Sequence, residues 1–305
     1  MSLFNNDMTY NDKYFSDKLN TKLNAKLDTL RLWQNHVLEF LIKYLVASNG
    51  QQQLDHCDAF LQLLAKIRFN LESASLLLPS IYEDYRFKTS INLLYRAIID
   101  DVINSYYLYC TVALADPEQN ALNNELSILH KEFIQSSIKG ITADREFERF
   151  IDRLNEVEST PEIDVEEEFK KANPELLNED RSWKRNREIR ATTHPDFLPL
   201  FNQGNSNSFI SETKKLEFIA VRGVATHRNI EAIFKYLSQY QHFSPKAHDL
   251  LNSHIEVDIL YYQRTLGELV MLLDQLLVFL VLKDQVEIKS YWDALAPMVF
   301  DSFAE

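Results

Sequence analysis

The sequence predicts an all-α fold, a multi-helix bundle with long core helices, and three observations carry that reading. Turn-forming residues are scarce, with 5 Gly and 8 Pro in 305 residues, so the chain has few places to reverse. Long segments place apolar residues at helical spacing, and 46% of the chain is hydrophobic, enough for a sizeable core. No sustained period-2 alternation of the kind a half-buried strand needs runs through it.

Residues 1–15 are polar and expected to be flexible. From about Ser16 to Ala47 a first helix carries Leu30, Trp33, Val37, Leu41 and Leu45 and stops at Ser48-Asn49-Gly50. A second, about Gln53 to Leu78, carries Leu61, Leu64, Ile67 and Leu71 and ends at Pro79. The stretch Tyr82–Ala115, free of Gly and Pro, predicts one central helix of about 50 Å. A fourth starts at Asp116-Pro117 and stops at Gly140. A fifth, about Ala143 to Glu158, has Phe147, Phe150, Ile151 and Leu154 as its apolar stripe.

Residues 159–211 change character. IDVEEEFKKANPELLNED is acidic and Pro-punctuated, which predicts short helical turns in a surface excursion, and 191–211 reads as a loop. Helix returns after Ser211, a good N-cap followed by Glu212, with Gly223 as an interruption. Further helices are expected over about His227–His242, a short one after Ser244-Pro245, Glu256–Leu282, and Val286–Phe300. Residues 16–305 are thus read as one bundle domain with a loop-rich insertion over about 159–211.

Composition narrows function mainly by exclusion. A net charge of −13 disfavours general affinity for phosphate backbones or anionic membranes, though a local basic patch can still bind. The N-terminus lacks the basic region and apolar run of a signal peptide. The longest apolar segment, Leu269–Leu282, is interrupted by Asp274 and Gln275 and is too short for a span, so no membrane partner is expected. Cys57 and Cys110 have no metal-type spacing and read as reduced core thiols, consistent with a cytoplasmic protein. His242, His248 and His254 would scatter on one helix rather than converge. No metal site and no cofactor motif is expected.

Three places carry ionisable groups in a pattern. In the central helix Asn92, Arg96, Asp100 and Asn104 recur every fourth residue, either as a partly exposed stripe or as a buried polar strip lining a pocket. In KYLSQYQHFSP, Ser238 and His242 are i,i+4 neighbours, and a His at a helix C-terminus suits acid–base work or capping. In RSWKRNREIR, Arg181, Trp183, Lys184, Arg185, Arg187 and Arg190 form either a solvated face balancing the acidic run or an RNA-facing patch with Trp183 for stacking.

The pairing of R-x3-D (Arg96, Asp100) with a downstream Y-L-S-x3-H-x-S (Tyr236, Leu237, Ser238, His242, Ser244) resembles a family of uncharacterised bacterial all-helical proteins. The likeness spans about Arg86 to Leu251, with Trp183 and its basic neighbours as the middle element and Asp100 where members usually carry Glu. That family is distantly similar to HEPN domains, helical bundles that often dimerise and include metal-independent RNases of toxin and phage-defence systems. Those RNases use R-x4–6-H, which Arg222 and His227 match, although Gly223 replaces the usual polar residue. The resemblance implies a HEPN-like defence or stress protein acting as a metal-independent RNase or RNA-binding toxin component, able to self-associate. Arg96, Asp100, Ser238 and His242, or alternatively Arg222 and His227, would then be catalytic, with Arg at the phosphorane-like transition state and His as acid–base. The other reading, from the residues, is a non-enzymatic helical binding or assembly module whose polar cluster is structural.

Overall fold

A computed structural model describes residues 21–49, 57–82, 84, 87–112, 120–156, 164–194, 210–241, 255–280, 290 and 293. Among these the chain is all-α: nine α-helices and no strand, with one isolated bridge between Leu177 and Trp183. The helices are α1 (Thr21–Asn49), α2 (Cys57–Leu77), α3 (Lys88–Val112), α4 (Asn120–Leu154), α5 (Val165–Ala172), α6 (Asn186–Ile189), α7 (Glu212–Val221), α8 (His227–Ser238) and α9 (Ile255–Phe279). They group into two compact units, with boundaries between Tyr106 and Tyr107 and between Arg222 and Gly223. The second unit takes in the expected 159–211 insertion and also α4 and α7. The expected N-terminal segment 1–15, the helix after Ser244-Pro245, all but residues 290 and 293 of the C-terminal helix and most of the 191–211 loop lie outside the described residues.

In the first unit α1 packs on α2 and on α9, and α9 packs on α8. The α1 residues that reach the core are Leu27, Leu30, Gln34, Val37, Leu41, Tyr44 and Ser48, and Phe40 joins them. On α2 they are Cys57, Phe60, Leu64, Ile67, Leu71 and Ala74, continuing to Leu78. Both series alternate steps of three and four, the spacing that lets two helices interlock along a seam. Each large apolar side chain so buried stabilises by about 1.5–3 kcal/mol before ordering costs. Trp33 and Leu45, expected in the stripe, lie on its half-buried flank. The seam is harder to read because polar Gln34 and Ser48 occupy two of its positions. Gln34 Nε2 donates across it to the Leu71 carbonyl at 3.4 Å.

Two helix boundaries differ from expectation. The central helix begins at Lys88, not Tyr82, because a 3-10 turn over Leu78–Tyr82 comes first and the Asp84 and Phe87 N–H groups bond to the Ser80 and Asp84 carbonyls. Gly140 ends nothing: α4 runs through it for 35 residues. A Gly inside a helix costs about 1 kcal/mol, which tertiary packing outweighs, whereas stopping a helix takes a left-handed residue. Gly223 supplies that at φ 84°, just after α7, as expected.

The second unit is built on the first half of α4, against which α5, α6 and the 3-10 turn Arg190–Thr192 pack. The expected short turns are present. Asp164 caps α5 by accepting the Glu167 N–H at 3.1 Å, acidic residues fill its first turn and Lys170 and Lys171 its last. At α7 the Ser211 hydroxyl accepts the Lys214 N–H, as the sequence predicts.

Candidate functional site

The polar row of α3 is one turn longer than its four expected members, because Lys88 lies on the same face. Lys88 and Asn92 are sealed, Arg96 is nearly so, and Asp100 and Asn104 are half-buried. The row therefore grades from core to surface, joining the two alternatives the sequence left open.

At its sealed end the row meets Asp258, in the first turn of α9 and wholly buried. Asp258 Oδ1 accepts from Asn92 Nδ2 at 3.0 Å, the Tyr236 hydroxyl at 2.9 Å and the Tyr240 hydroxyl at 2.7 Å. Its other oxygen lies 3.4 Å from Lys88 Nζ. A buried carboxylate needs this many donors, since an ion out of water without partners costs several kcal/mol. Burial lowers the pKa of Lys88, and the Asp258 charge opposes that shift. Burial raises the pKa of the Tyr236 hydroxyl, and the Asp258 charge adds to the effect, so this tyrosine is held as a donor. Aromatic rings frame the cluster: Tyr236 stacks on Tyr261 at 3.8 Å and Tyr95 on Tyr262 at 4.3 Å, and the Tyr262 hydroxyl donates to the Lys88 carbonyl.

One turn along, Arg96 is engaged on every side. Its guanidinium pairs with Asp100, Nε donates to Ser238 Oγ at 2.7 Å, and its plane lies 4.0 Å above the Phe234 ring. The Arg96 side chain is 7% exposed and that of Asp100 29%. Arg96, Asp100 and Ser238 thus meet, as the paired motifs anticipate. The chemistry of Ser238 is constrained, however: its hydroxyl donates to the Phe234 carbonyl at 2.7 Å while accepting from Arg96. A nucleophilic serine hands its proton to a base, and this proton rests on a helix carbonyl.

A third polar link joins α8 to α9. Asn229 donates to Glu268, which is wholly buried, and accepts from Arg264 Nε at 2.6 Å. Burial raises the Glu268 pKa, with the hydrogen bond from Asn229 opposing it.

His242 lies outside the described residues. Arg222, closing α7, holds its guanidinium 5.1 Å from the Phe218 ring in the second unit. His227 opens α8 in the first, and its Nδ1 donates to the Val224 carbonyl at 2.8 Å. A carbonyl only accepts, so Nδ1 carries a proton in this contact.

The basic segment lies wholly in the second unit, and several of its residues are engaged there. Arg181 pairs with Glu167 at 2.6 Å, Trp183 Nε1 donates to Glu166, and Lys184 Nζ donates to the Glu175 carbonyl. Arg190, expected at a surface patch, is buried instead, its guanidinium forked onto both Glu125 oxygens, which also receive the Tyr107 hydroxyl. Arg185 and Arg187 are exposed. Beside them Lys131, itself buried, reaches the Lys184 carbonyl and the Asn186 side chain, tying the segment to α4.

Cys57 and Cys110 are buried and not joined in a disulfide, and burial pushes the Cys110 thiol up to about 12, an inert core thiol. Among the described residues no three His, Cys, Asp or Glu cluster as metal ligands, and no helix is long and apolar enough to cross a membrane. The described residues form an all-helical protein whose helices are tied together by buried polar clusters around Asp258, Arg96, Glu268 and Glu125. No protein-family model matches the chain, nor does any curated protein or solved structure.

Proposed function

We propose that the chain is a non-enzymatic helical binding or assembly module in which the Arg96–Asp100–Ser238 cluster is structural. One observation carries this reading: Arg96 is spent on a carboxylate, a hydroxyl and a ring at once, while the Ser238 hydroxyl donates its hydrogen bond to the Phe234 carbonyl. A guanidinium that stabilises a phosphorane must reach the substrate, and one sealed to this degree holds helices together. The test is RNA cleavage by the purified full chain in a metal chelator, beside urea unfolding of Arg96→Ala. No cleavage together with a destabilised variant fits the module. Cleavage that Arg96→Ala abolishes in a protein of unchanged stability overturns it.

The second reading, a HEPN-like metal-independent RNase or RNA-binding toxin component, draws support from the exposed cations of the basic segment, Arg185 and Arg187 among them. It expects RNA affinity that falls steeply with salt and drops when both become Glu. Absence of binding at low salt removes it.

A further inference from the structure

Three sealed carboxylates are each met by a cation: Asp258 by Lys88, Glu125 by Arg190 and Asp101 by Lys66. Glu268 is buried as completely and is met by none among the described residues. It receives one hydrogen bond, from Asn229 to Oε1, and its Oε2 has no hydrogen-bond partner. Arg264, one turn back on α9, directs its Nε to Asn229 Oδ1 at 2.6 Å. On the α8 side Thr226 comes up to Glu268. Its hydroxyl oxygen is likewise buried without a partner, and its side chain does not cap α8.

The helices packed on α9 bring no charge that changes this. On α8, Asn229 and Thr226 are neutral, His227 donates Nδ1 to the Val224 carbonyl, Arg228 is exposed and Glu231 pairs with Lys235. On α1, Lys26 pairs with Glu256 at the start of α9, Asp28, Arg31, Glu39 and Lys43 are exposed, and His36 is half-buried. Arg264 acts on Glu268 from α9 itself, against a larger effect of burial that raises the pKa. Neutral donors alone do not replace the water around a carboxylate, whereas a protonated carboxyl needs one acceptor for its O–H. The Thr226 hydroxyl oxygen is that acceptor, so a proton on Oε2 satisfies both orphaned atoms at once. The first turn of α8 is the part able to yield. It follows a turn containing Gly223 at φ 84°, and its first buried side chain is Ile230.

We infer that Glu268 is a proton switch on α8. Protonated, its Oε2–H donates to the Thr226 hydroxyl and holds the first turn of α8 on α9. Ionised, its proton given to solvent, it draws water in and that turn opens. The switch acts on the helix that carries Tyr236 and Ser238, the contacts of Asp258 and Arg96, and it stands independently of the role assigned to Arg96.

Amide hydrogen exchange of the full chain, read by NMR and corrected for the intrinsic rise of exchange with pH, tests it. The reporters are the Asn229 and Ile230 amides, which bond to the Thr226 carbonyl at 2.8 and 3.1 Å. In wild type their protection falls about tenfold from pH 4 to pH 8, as one ionising group drives a local opening, while the amides in the middle of α9 keep theirs. In Glu268→Gln the same two amides stay protected at pH 8. Infrared difference spectra of wild type against Glu268→Gln show a protonated-acid carbonyl stretch that persists above the ordinary glutamate range. A stretch that vanishes within that range makes Glu268 an ordinary carboxylate and overturns the inference. So does wild-type protection that is constant from pH 4 to pH 8, or that falls equally in Glu268→Gln.

Discussion

Each unit buries ionised groups among its helices, and the two satisfy them by different means. In the first unit Asp258 is held by a diffuse set of donors: an amide, two tyrosine hydroxyls and a lysine 3.4 Å away, contributed by α3, the end of α8 and the turn after it. In the second, Glu125 meets one planar partner, the Arg190 fork, with the Tyr107 hydroxyl as a third contact. A fork against a carboxylate concentrates interaction in two parallel bonds of fixed geometry. A hub spreads it over four groups, none of which alone is indispensable. The difference suits what each joins. Arg190 sits in a short 3-10 turn that has few apolar contacts of its own, so one strong pair anchors it to α4. Asp258 lies between long helices already held by stacked tyrosines.

The comparison predicts unequal responses to losing one partner. Arg190→Ala strips Glu125 of its counter-charge in a sealed site and should cost about 3–5 kcal/mol in urea unfolding. Replacing Arg190 by Met and Glu125 by Leu together should recover most of that loss, because burying neither charge avoids both desolvation penalties. A double variant as unstable as the single one would mean that the fork does more than neutralise a buried charge.

Lys88→Met should cost less, about 2–3 kcal/mol, since Asp258 keeps three hydrogen-bond donors when the lysine is gone. If Lys88→Met proves as damaging as Arg190→Ala, the hub is not diffuse and Lys88 is its principal support.

Arg96→Ala comes next. It removes a ring contact worth about 0.5–2 kcal/mol and a hydrogen bond to Ser238, yet leaves Asp100 with water at hand, so about 2 kcal/mol is expected. Asp100→Asn should cost under about 1 kcal/mol, as suits a partner at the water's edge. Equal losses from the two would show that the Asp100 charge, and not the Phe234 stack, holds Arg96 in place.

How much of this the sequence disclosed depends on where each group's partner lies along the chain. The α3 row was legible because its members are local, four residues apart on an apolar helix. Lys88 belongs to it and was missed because a helix drawn from Tyr82 has no reason to single out a residue in its second turn. Asp258 was legible only as an acid in a helix's first turn, where the dipole alone accounts for it. That it collects Asn92, 166 positions away, is a fact of tertiary packing that no local pattern carries. Ser238 was legible locally, as the i,i+4 neighbour of His242, but only the resemblance paired its motif with that of Arg96. In the second unit the basic segment was read as a surface, since composition cannot tell that Arg190 turns inward while Arg187 does not. Gly140 misled for a plainer reason: a glycine marks a helix end only where the backbone turns left-handed, and that angle is not written in the sequence.

An effect of about 1 kcal/mol at Glu268 depends on pH. Burial raises the Glu268 pKa in the folded state above its unfolded value, so folding favours the protonated form. Its contribution to stability is therefore fully present below the ordinary glutamate range and is lost as pH climbs through the raised folded value. At pH 8 wild type carries a buried carboxylate whose hydrogen bond from Asn229 and nearby Arg264 only partly offset the loss of water. Glu268→Gln keeps an oxygen for the Asn229 amide and removes the charge. It should stabilise the protein by about 1 kcal/mol at pH 8 and by nearly nothing at pH 4. Glu125→Gln, by contrast, should destabilise the protein, because there the charge has a fixed partner in the Arg190 fork and not merely a neighbour. A Glu268→Gln variant less stable than wild type at pH 8 would place Glu268 beside Arg264 as a true ion pair. The first unit would then share the second's way of burying charge.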